Sequence, residues 1–454
     1  MNKIKLFMAA LACLAVGAAC SDDDKVNLNV DKSEMPLGYE AQECEINLET
    51  EGNWTAESSD AWCKLYKTSS NGDAKLYVRV QGNLLPESRT ARITLKTDDE
   101  TKVVTLTQEG KPEGVEYKYR LPIIFHVIYN DASDSKQNIP AGKINEILRE
   151  VNDIYKNSGT DMNLEFMAAT RDPRGNLLEE PGIDRIQWVT KTLDADDVMT
   201  NTTRKYVHFM WDPDEYVNIF LYTFSDPYTT GISTMPLNPL PYIMDGVTAV
   251  PNYDYTFDNL YEVRGVSLNN RFINDPSDKL SKYAPAEWKN IIDRQNSPAV
   301  TLAHELGHFL GLLHTFTTDF YCSDTDYCKD TPTYMYDTYA KRLLDLYERI
   351  DADPDFVQYI AWADLFNRSN CSNEDFAEHN MMDYAYSYFD TFTPAQKERV
   401  QHTLMYSIYI PGPKLNKIPL EEDDETATAS KARKPNGAGL PLVIAKDRLP
   451  YAPR

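Results

Sequence analysis

Residues 297–316, SPAVTLAHELGHFLGLLHTF, constrain this chain more than any other stretch, because they set three histidines and one glutamate at fixed spacings. His304 and His308 are four residues apart, so on a helix they share one face, one turn above the other, and can grip one ion. Glu305, next to the first of them, can reach a water at that ion without ligating it. His314 lies six residues beyond His308, too far to share the helical face, so the chain has to turn first. Gly311 supplies the turn: with no Cβ, it can adopt the left-handed backbone that ends a helix. Ser297 and Pro298 suit the N-cap and the first helical position. Leu302, Leu306, Phe309 and Leu313 form an apolar stripe away from the histidines, which predicts a helix with one side in a core and the other at a cleft.

Three neutral imidazoles leave one zinc position open, the mark of a catalytic site, since structural sites are usually closed by four protein ligands. Zinc there would polarise a peptide carbonyl and activate a water. Glu305 would take the proton from that water and pass it to the leaving amine. The expected reaction is direct hydrolysis, with no Ser, Cys or Thr nucleophile and no acyl-enzyme.

A length of 454 residues leaves room for two or three domains. With 46 Lys and Arg against 70 Asp and Glu, the formal net charge is −24, which argues against nucleic acid or an anionic membrane surface as a partner. Beyond the N-terminus no apolar run reaches about eighteen residues, so no spanning helix is expected. Residues 1–20 carry Lys3 and Lys5, an apolar run from Leu6 to Val16, and small residues before Cys20. That pattern predicts a lipoprotein signal peptide, cleaved so that Cys20 bears the lipid. In the tether, residues 21–27, Ser21-Asp22-Asp23-Asp24 resembles the acidic sorting signal of surface lipoproteins of Bacteroidetes. The resemblance implies an outer-membrane lipoprotein displayed on the cell surface, touching the membrane only through Cys20. The alternative is a solvated tether on a lipoprotein that faces the periplasm.

Residues 28–110 read as short alternating strands, such as Ala74 to Val80 and Ala91 to Lys96, and predict a small all-β sandwich. Around Asn53-Trp54-Thr55-Ala56, Asp60-Ala61-Trp62, Arg89-Thr90-Ala91-Arg92 and a closing strand with Gln108 and Gly110, this segment resembles the BACON domain. That resemblance implies a carbohydrate- or mucin-binding role, although Trp54 and Trp62 read as core residues. Cys44 and Cys63 are candidates to pair in an oxidising compartment. Residues 111–118 are a linker.

From residue 119 to 410 the chain reads as an α+β domain: a buried strand over residues 121–129, a helix with Ile144, Ile147, Leu148, Val151, Ile154 and Tyr155 inward, and strand segments near residues 164–167, 217–223 and 246–250. His126 reads as a satisfied core residue. Thr393-Pro394-Ala395-Gln396 opens a last helix with a capping box. Residues 411–454 turn to Pro, Gly, Ala, Lys and Glu and predict a mostly disordered tail.

The zinc motif together with Asp330-Thr331-Pro332 and Asn380-Met381-Met382-Asp383-Tyr384 resembles the metzincins, and within them the pappalysin or cytophagalysin family. The resemblance implies a zinc endopeptidase in which Met382 lies beneath the metal and Tyr384 stabilises the oxyanion. It also implies that Gly246 to Val250 is the edge strand along which an extended peptide aligns. It further implies one disulfide, Cys322 with Cys371, leaving Cys328 free, and calcium (Ca2+) among Asp319, Asp324, Asp326, Asp330 and Thr331. The expected whole is a surface-anchored, Zn2+-dependent endopeptidase acting on proteins or peptides, mucin-type glycoproteins among them. The alternative is a mucin- or glycan-binding lipoprotein in which proteolysis is secondary.

Overall fold

The computed structural model describes residues 27–251, 255–384, 386–415 and 443–448. The stretch read as a signal peptide, Cys20, most of the tether and most of the tail lie outside the described residues.

The N-terminal segment builds nine strands: β1 (Asn29–Val30), β2 (Glu34–Leu37), β3 (Gln42–Glu49), β4 (Asn53–Ser58), β5 (Cys63–Leu65), β6 (Ser69–Asn71), β7 (Ala74–Val80), β8 (Arg89–Lys96) and β9 (Thr101–Gln108). They form two sheets, ordered β1-β3-β7-β5 and β2-β9-β8-β4-β6. Period-two alternation makes the sandwich: Ala91, Ile93 and Leu95 of β8 face Leu76, Val78 and Val80 of β7 within one core. Trp54 belongs to that core, its indole donating to the Gly72 carbonyl at 3.0 Å, and the Arg89 guanidinium lies 4.3 Å from the centre of the Trp62 ring. The closing strand is held by close approach. Gln108 is fully buried and accepts from Arg89, while a Cβ on Gly110 would sit 1.9 Å from the Pro86 carbonyl oxygen. Cys44 and Cys63 are not bonded, contrary to the pairing considered from sequence. β7 runs between their strands, and two strand spacings are about 9–10 Å, beyond the roughly 7 Å reach of a disulfide.

The following domain is α+β. It comprises β10 (Tyr119–Tyr129), α1 (Ala141–Asn157), β11 (Leu164–Ala168), β12 (Ile183–Gln187), α2 (Ala195–Thr200), β13 (Val217–Tyr222), β14 (Thr229–Thr234), β15 (Leu237–Pro239), β16 (Thr248–Val250) and β17 (Val266–Asn269). Then come α3 (Asn270–Asn274), α4 (Ala286–Asp293), α5 (Pro298–Phe309), α6 (Tyr336–Ala352), β18 (Asn367–Ser369), β19 (Asp375–Ala377), α7 (Pro394–Tyr406) and β20 (Ile444–Arg448). The main sheet is ordered β11-β10-β13-β17-β14-β20, with β12 also on β10. β10, β11, β13 and β17 are parallel, whereas β14 runs antiparallel to β17.

β10 is apolar on both faces because both are covered. Ile123, Phe125 and Val127 pack in one cluster with α1 and α5, while Ile124 and Ile128 face other clusters across the sheet. The helix read from residues 144–155 is α1, with those six residues buried. His126 is satisfied inside the strand, Nδ1 at 2.9 Å from Asp184 and Nε2 at 2.9 Å from Asn218. The capping box of Thr393 and Gln396 is present at the start of α7. Among the described residues, no helix is long and apolar enough to cross a membrane.

Two segments pair in ways the sequence did not announce. Within the stretch read as a mostly disordered tail, residues 444–448 form β20 and join the main sheet. The segment read as the edge strand, Gly246 to Val250, supplies only β16, a three-residue parallel partner of β15 outside that sheet. The antiparallel strand packed on α5 is β14, which lies between β17 and β20 and whose Thr-Thr-Gly-Ile-Ser-Thr run is rich in β-branched residues that suit a pleated surface.

The sandwich meets the second domain through charged and aromatic contacts. Arg79 and Lys64 both reach Glu215, at 2.7 and 2.6 Å, and the Arg171 guanidinium lies 3.4 Å from the centre of the Tyr77 ring.

Candidate active site

α5 lies across α1, β14 and β17, and every residue from Ala299 to Phe309 is buried. Pro298 starts the helix and Ser297 occupies the N-cap, but the Ser297 side chain makes no capping hydrogen bond. The C-terminal end is specified in detail. Gly311 takes φ +92°, its N–H donates to the His308 carbonyl, and the Leu312 N–H donates to the Gly307 carbonyl, both at 2.9 Å. This paired closure is a Schellman motif, and it throws the chain sideways so that His314 returns toward the helix. Gly311 is also crowded, since a Cβ there would lie 2.5 Å from the Thr403 hydroxyl. Because the helix ends at Phe309, Leu313 is not part of the buried stripe; Leu302, Leu306 and Phe309 are, joined by Leu310 and Leu312.

The turn brings the three imidazoles together. Nε2 of His308 is 3.0 Å from Nε2 of both His304 and His314. Among the described residues, these three form the one group of three or more histidine, cysteine or carboxylate side chains with ligand atoms all within 4.8 Å of one another. Nδ1 of His304 lies 2.7 Å from the Met381 carbonyl and Nδ1 of His308 lies 2.9 Å from the Leu312 carbonyl. Each of those nitrogens therefore carries the proton and leaves Nε2 as a lone-pair donor. Tetrahedral zinc with nitrogens at 2.0–2.1 Å needs them about 3.3 Å apart, so the trio fits such an ion with small adjustments.

Two glycines make the site possible, and sequence reasoning passed over both. A Cβ on Gly231 of β14 would sit 2.5 Å from Oε1 of Glu305, so the fully buried Glu305 side chain is wedged against that strand. A Cβ on Gly307 would sit 2.4 Å from the Met382 sulfur, so the methionine packs directly under the turn of α5 between His304 and His308. Met382 is fully buried, and its amide donates to Asn380, whose amide group is paired in turn with Gln396 of α7. The loop and the helix support each other: Met381 orients His304, and the Thr315 amide donates to the Met382 carbonyl at 3.3 Å.

Tyr384 stands beside the trio, its ring centre 4.5 Å from that of His314 and 6.2 Å from that of His304. Its backbone is fixed by Asp383, which accepts from the Tyr384 amide and from the Tyr334 hydroxyl, each at 2.6 Å. Arg368, fully buried, lies 3.7 Å from Asp383 and stacks on Tyr339. Burial, with Asp383 close by, pushes the Glu378 carboxyl well above the usual carboxylate range.

A second buried carboxyl ties this region to α6. Asp278 accepts from the Tyr386 hydroxyl and the Leu280 amide, each at 2.7 Å, and Tyr386 also meets Tyr347. Burial raises Asp278 from 3.8 to about 6. The folded chain thus holds this proton more tightly than the unfolded chain, and its contribution is lost as pH rises through about 6. That rise corresponds to about 3 kcal/mol. Asp278→Asn keeps an acceptor oxygen and removes the charge. It is expected to raise the Tm at pH 7.5 and leave it unchanged at pH 4, as calorimetry at the two pH values would show. An equal offset at both would refute the account.

Cys322 and Cys371 are joined by a disulfide, with Cα atoms 6.0 Å apart, and Cys328 is free and buried. The acidic residues considered for calcium do not converge as one set. Asp319 binds Ser323 in its own turn, and Asp330 accepts from the Ala395 amide at the start of α7. Asp324 and Asp326 do lie together, and burial and that neighbour push Asp326 up.

Residues 200–405 match the sequence profile of peptidase family M43, described as pregnancy-associated plasma protein-A, and residues 52–109 match that of the BACON family, described by a suggested binding role. Among curated proteins none matches. Similar solved structures include mature mirolysin of Tannerella forsythia with a cleaved peptide, 21% identical, covering 63% of this chain and 92% of that one at a TM-score of 0.40. A promirolysin mutant of that organism is likewise 21% identical, covering 64% and 81% at 0.40. A xyloglucanase of Bacteroides ovatus with a heptasaccharide is 13% identical, covering 44% and 37% at 0.19.

Proposed function

Because the chain carries a BACON domain followed by a metallopeptidase domain of family M43, we propose that it is a zinc endopeptidase held at the bacterial surface by a lipid on Cys20. The observation that carries the reading is the convergence of three Nε2 atoms beside the buried Glu305. A zinc ion held by His304, His308 and His314 would supply Lewis acidity toward the scissile carbonyl and toward an attacking water.

The protein's own residues then divide the work. Glu305 accepts the proton of the attacking water through its carboxylate and returns it to the amide nitrogen as the C–N bond breaks. The wall at Gly231 limits the positions the carboxylate can take, which favours one line of proton transfer. Tyr384 donates its hydroxyl hydrogen to the oxygen that gains charge. Met382 and the carbonyls of Met381 and Leu312 hold the imidazoles in place. The substrate is a protein or peptide, the class that a family M43 domain implies.

One experiment tests both parts. Intact cells displaying the chain are given a peptide library with and without a zinc chelator. Internal cleavage that stops with chelator and returns with added zinc is the expected result, and Cys20→Ser is expected to move that activity into the soluble fraction. Cleavage indifferent to chelation would overturn the metal reading, and unchanged cell association of Cys20→Ser would overturn the anchor.

A further inference from the structure

β14 has two edges, and both are used. Toward β17 the Thr234 amide donates to the Gly265 carbonyl at 3.0 Å, which makes residues 232 and 234 the donors on that side. Toward β20 the Met235 amide donates to the Val443 carbonyl at 2.8 Å, and the pairs Ser233 with Ala445 and Gly231 with Asp447 continue the same register. The second edge is the rim above α5. Gly231, in register with Asp447, is the residue against which Glu305 is wedged. A strand added there runs antiparallel alongside β14 and pairs with the residue that abuts the proposed general base, the line an extended substrate would need for main-chain pairing.

We propose that this chain's own C-terminal segment, residues 443–448, binds the substrate rim of β14 as a competing strand and restrains peptide entry. The inference rests on reading the α5 site as the peptidase centre. The pairing is antiparallel and made by backbone groups, so it demands little of side chains and a peptide of many sequences can replace it. Residues 416–442 join it covalently to the rest of the chain, so the pairing is intramolecular and needs no second molecule. A weak intrinsic affinity therefore suffices to compete with dilute substrate. A substrate that pairs over a longer stretch displaces it, with no covalent latch to cut.

The test uses the full chain and its Ala445→Pro/Asp447→Pro variant. Both positions donate toward β14 by the alternation above, and proline removes the donor and the room for pairing. Two readouts are taken. Amide exchange resolved to single residues is expected to show Gly231, Ser233 and Met235 losing protection in the variant, while Ile232 and Thr234 keep theirs through β17. Hydrolysis of a quenched peptide is expected to show KM about tenfold lower with kcat unchanged, and a synthetic peptide of residues 441–450 restoring KM competitively. Unchanged exchange would overturn the docking, and lost protection with unchanged KM would overturn the competition. If neither protein cleaves the peptide, the proposed function fails, while exchange still decides whether the segment occupies the rim.

Discussion

Glu305→Ala is expected to lower kcat for peptide hydrolysis about 10⁴-fold, the upper range for loss of a general base, while one zinc per chain is retained. The reason for the separation is geometric. The three imidazoles are held by Gly311, by the Met381 and Leu312 carbonyls and by the packing of Met382 under Gly307, none of which involves Glu305. Metal content by elemental analysis and turnover of a quenched peptide, measured on the same sample, check it. Activity within tenfold of the parent would remove Glu305 from the chemistry. Joint loss of metal and activity would mean that the residue shapes the site rather than moving the proton.

The second large effect is expected from a methyl group. Gly231→Ala places a carbon 2.5 Å from Oε1, 2.7 Å from Cγ and 2.9 Å from Cδ of Glu305. Atoms that close cannot stay, and Glu305 is fully buried on a helix packed against three other elements. Displacing the carboxylate by a fraction of an ångström is expected to cost about 10²-fold in kcat with zinc content unchanged. A double-mutant cycle separates this from simple damage to β14. In the Glu305→Ala background the methyl enters space the carboxylate has left, so the loss of Tm caused by Gly231→Ala should shrink there. An equal loss in both backgrounds would show that the strand, not the carboxylate, yields.

The central helix was legible because each of its features is local. Helical spacing pairs His304 with His308, and a glycine at the end of the periodic run marks the turn that recovers His314. Alternation in β8 and the six inward positions of α1 are local in the same sense. What stayed hidden depends on pairings distant in sequence. Nothing near Gly231 says that it will abut a residue 74 positions later, and nothing near Ile444 says that it will pair with Thr234. The assignment of the rim to residues 246–250 failed for the same reason: a short apolar run does not state which sheet it joins. Behind Tyr384, Asp383 meets Arg368 and Tyr334, which lie 15 and 49 positions before it, and only the fold assembles them.

The place where the sandwich attaches has a consequence for large targets. Its contacts fall on Arg171, just beyond β11, and on Glu215, just before β13, toward the end of the sheet order remote from β14. Five strand spacings of about 4.8 Å put roughly 24 Å between the β11 margin and the β20 margin. A folded protein can therefore bring a protruding loop to the rim from the open flank without colliding with the sandwich, so bulk alone does not disqualify a target.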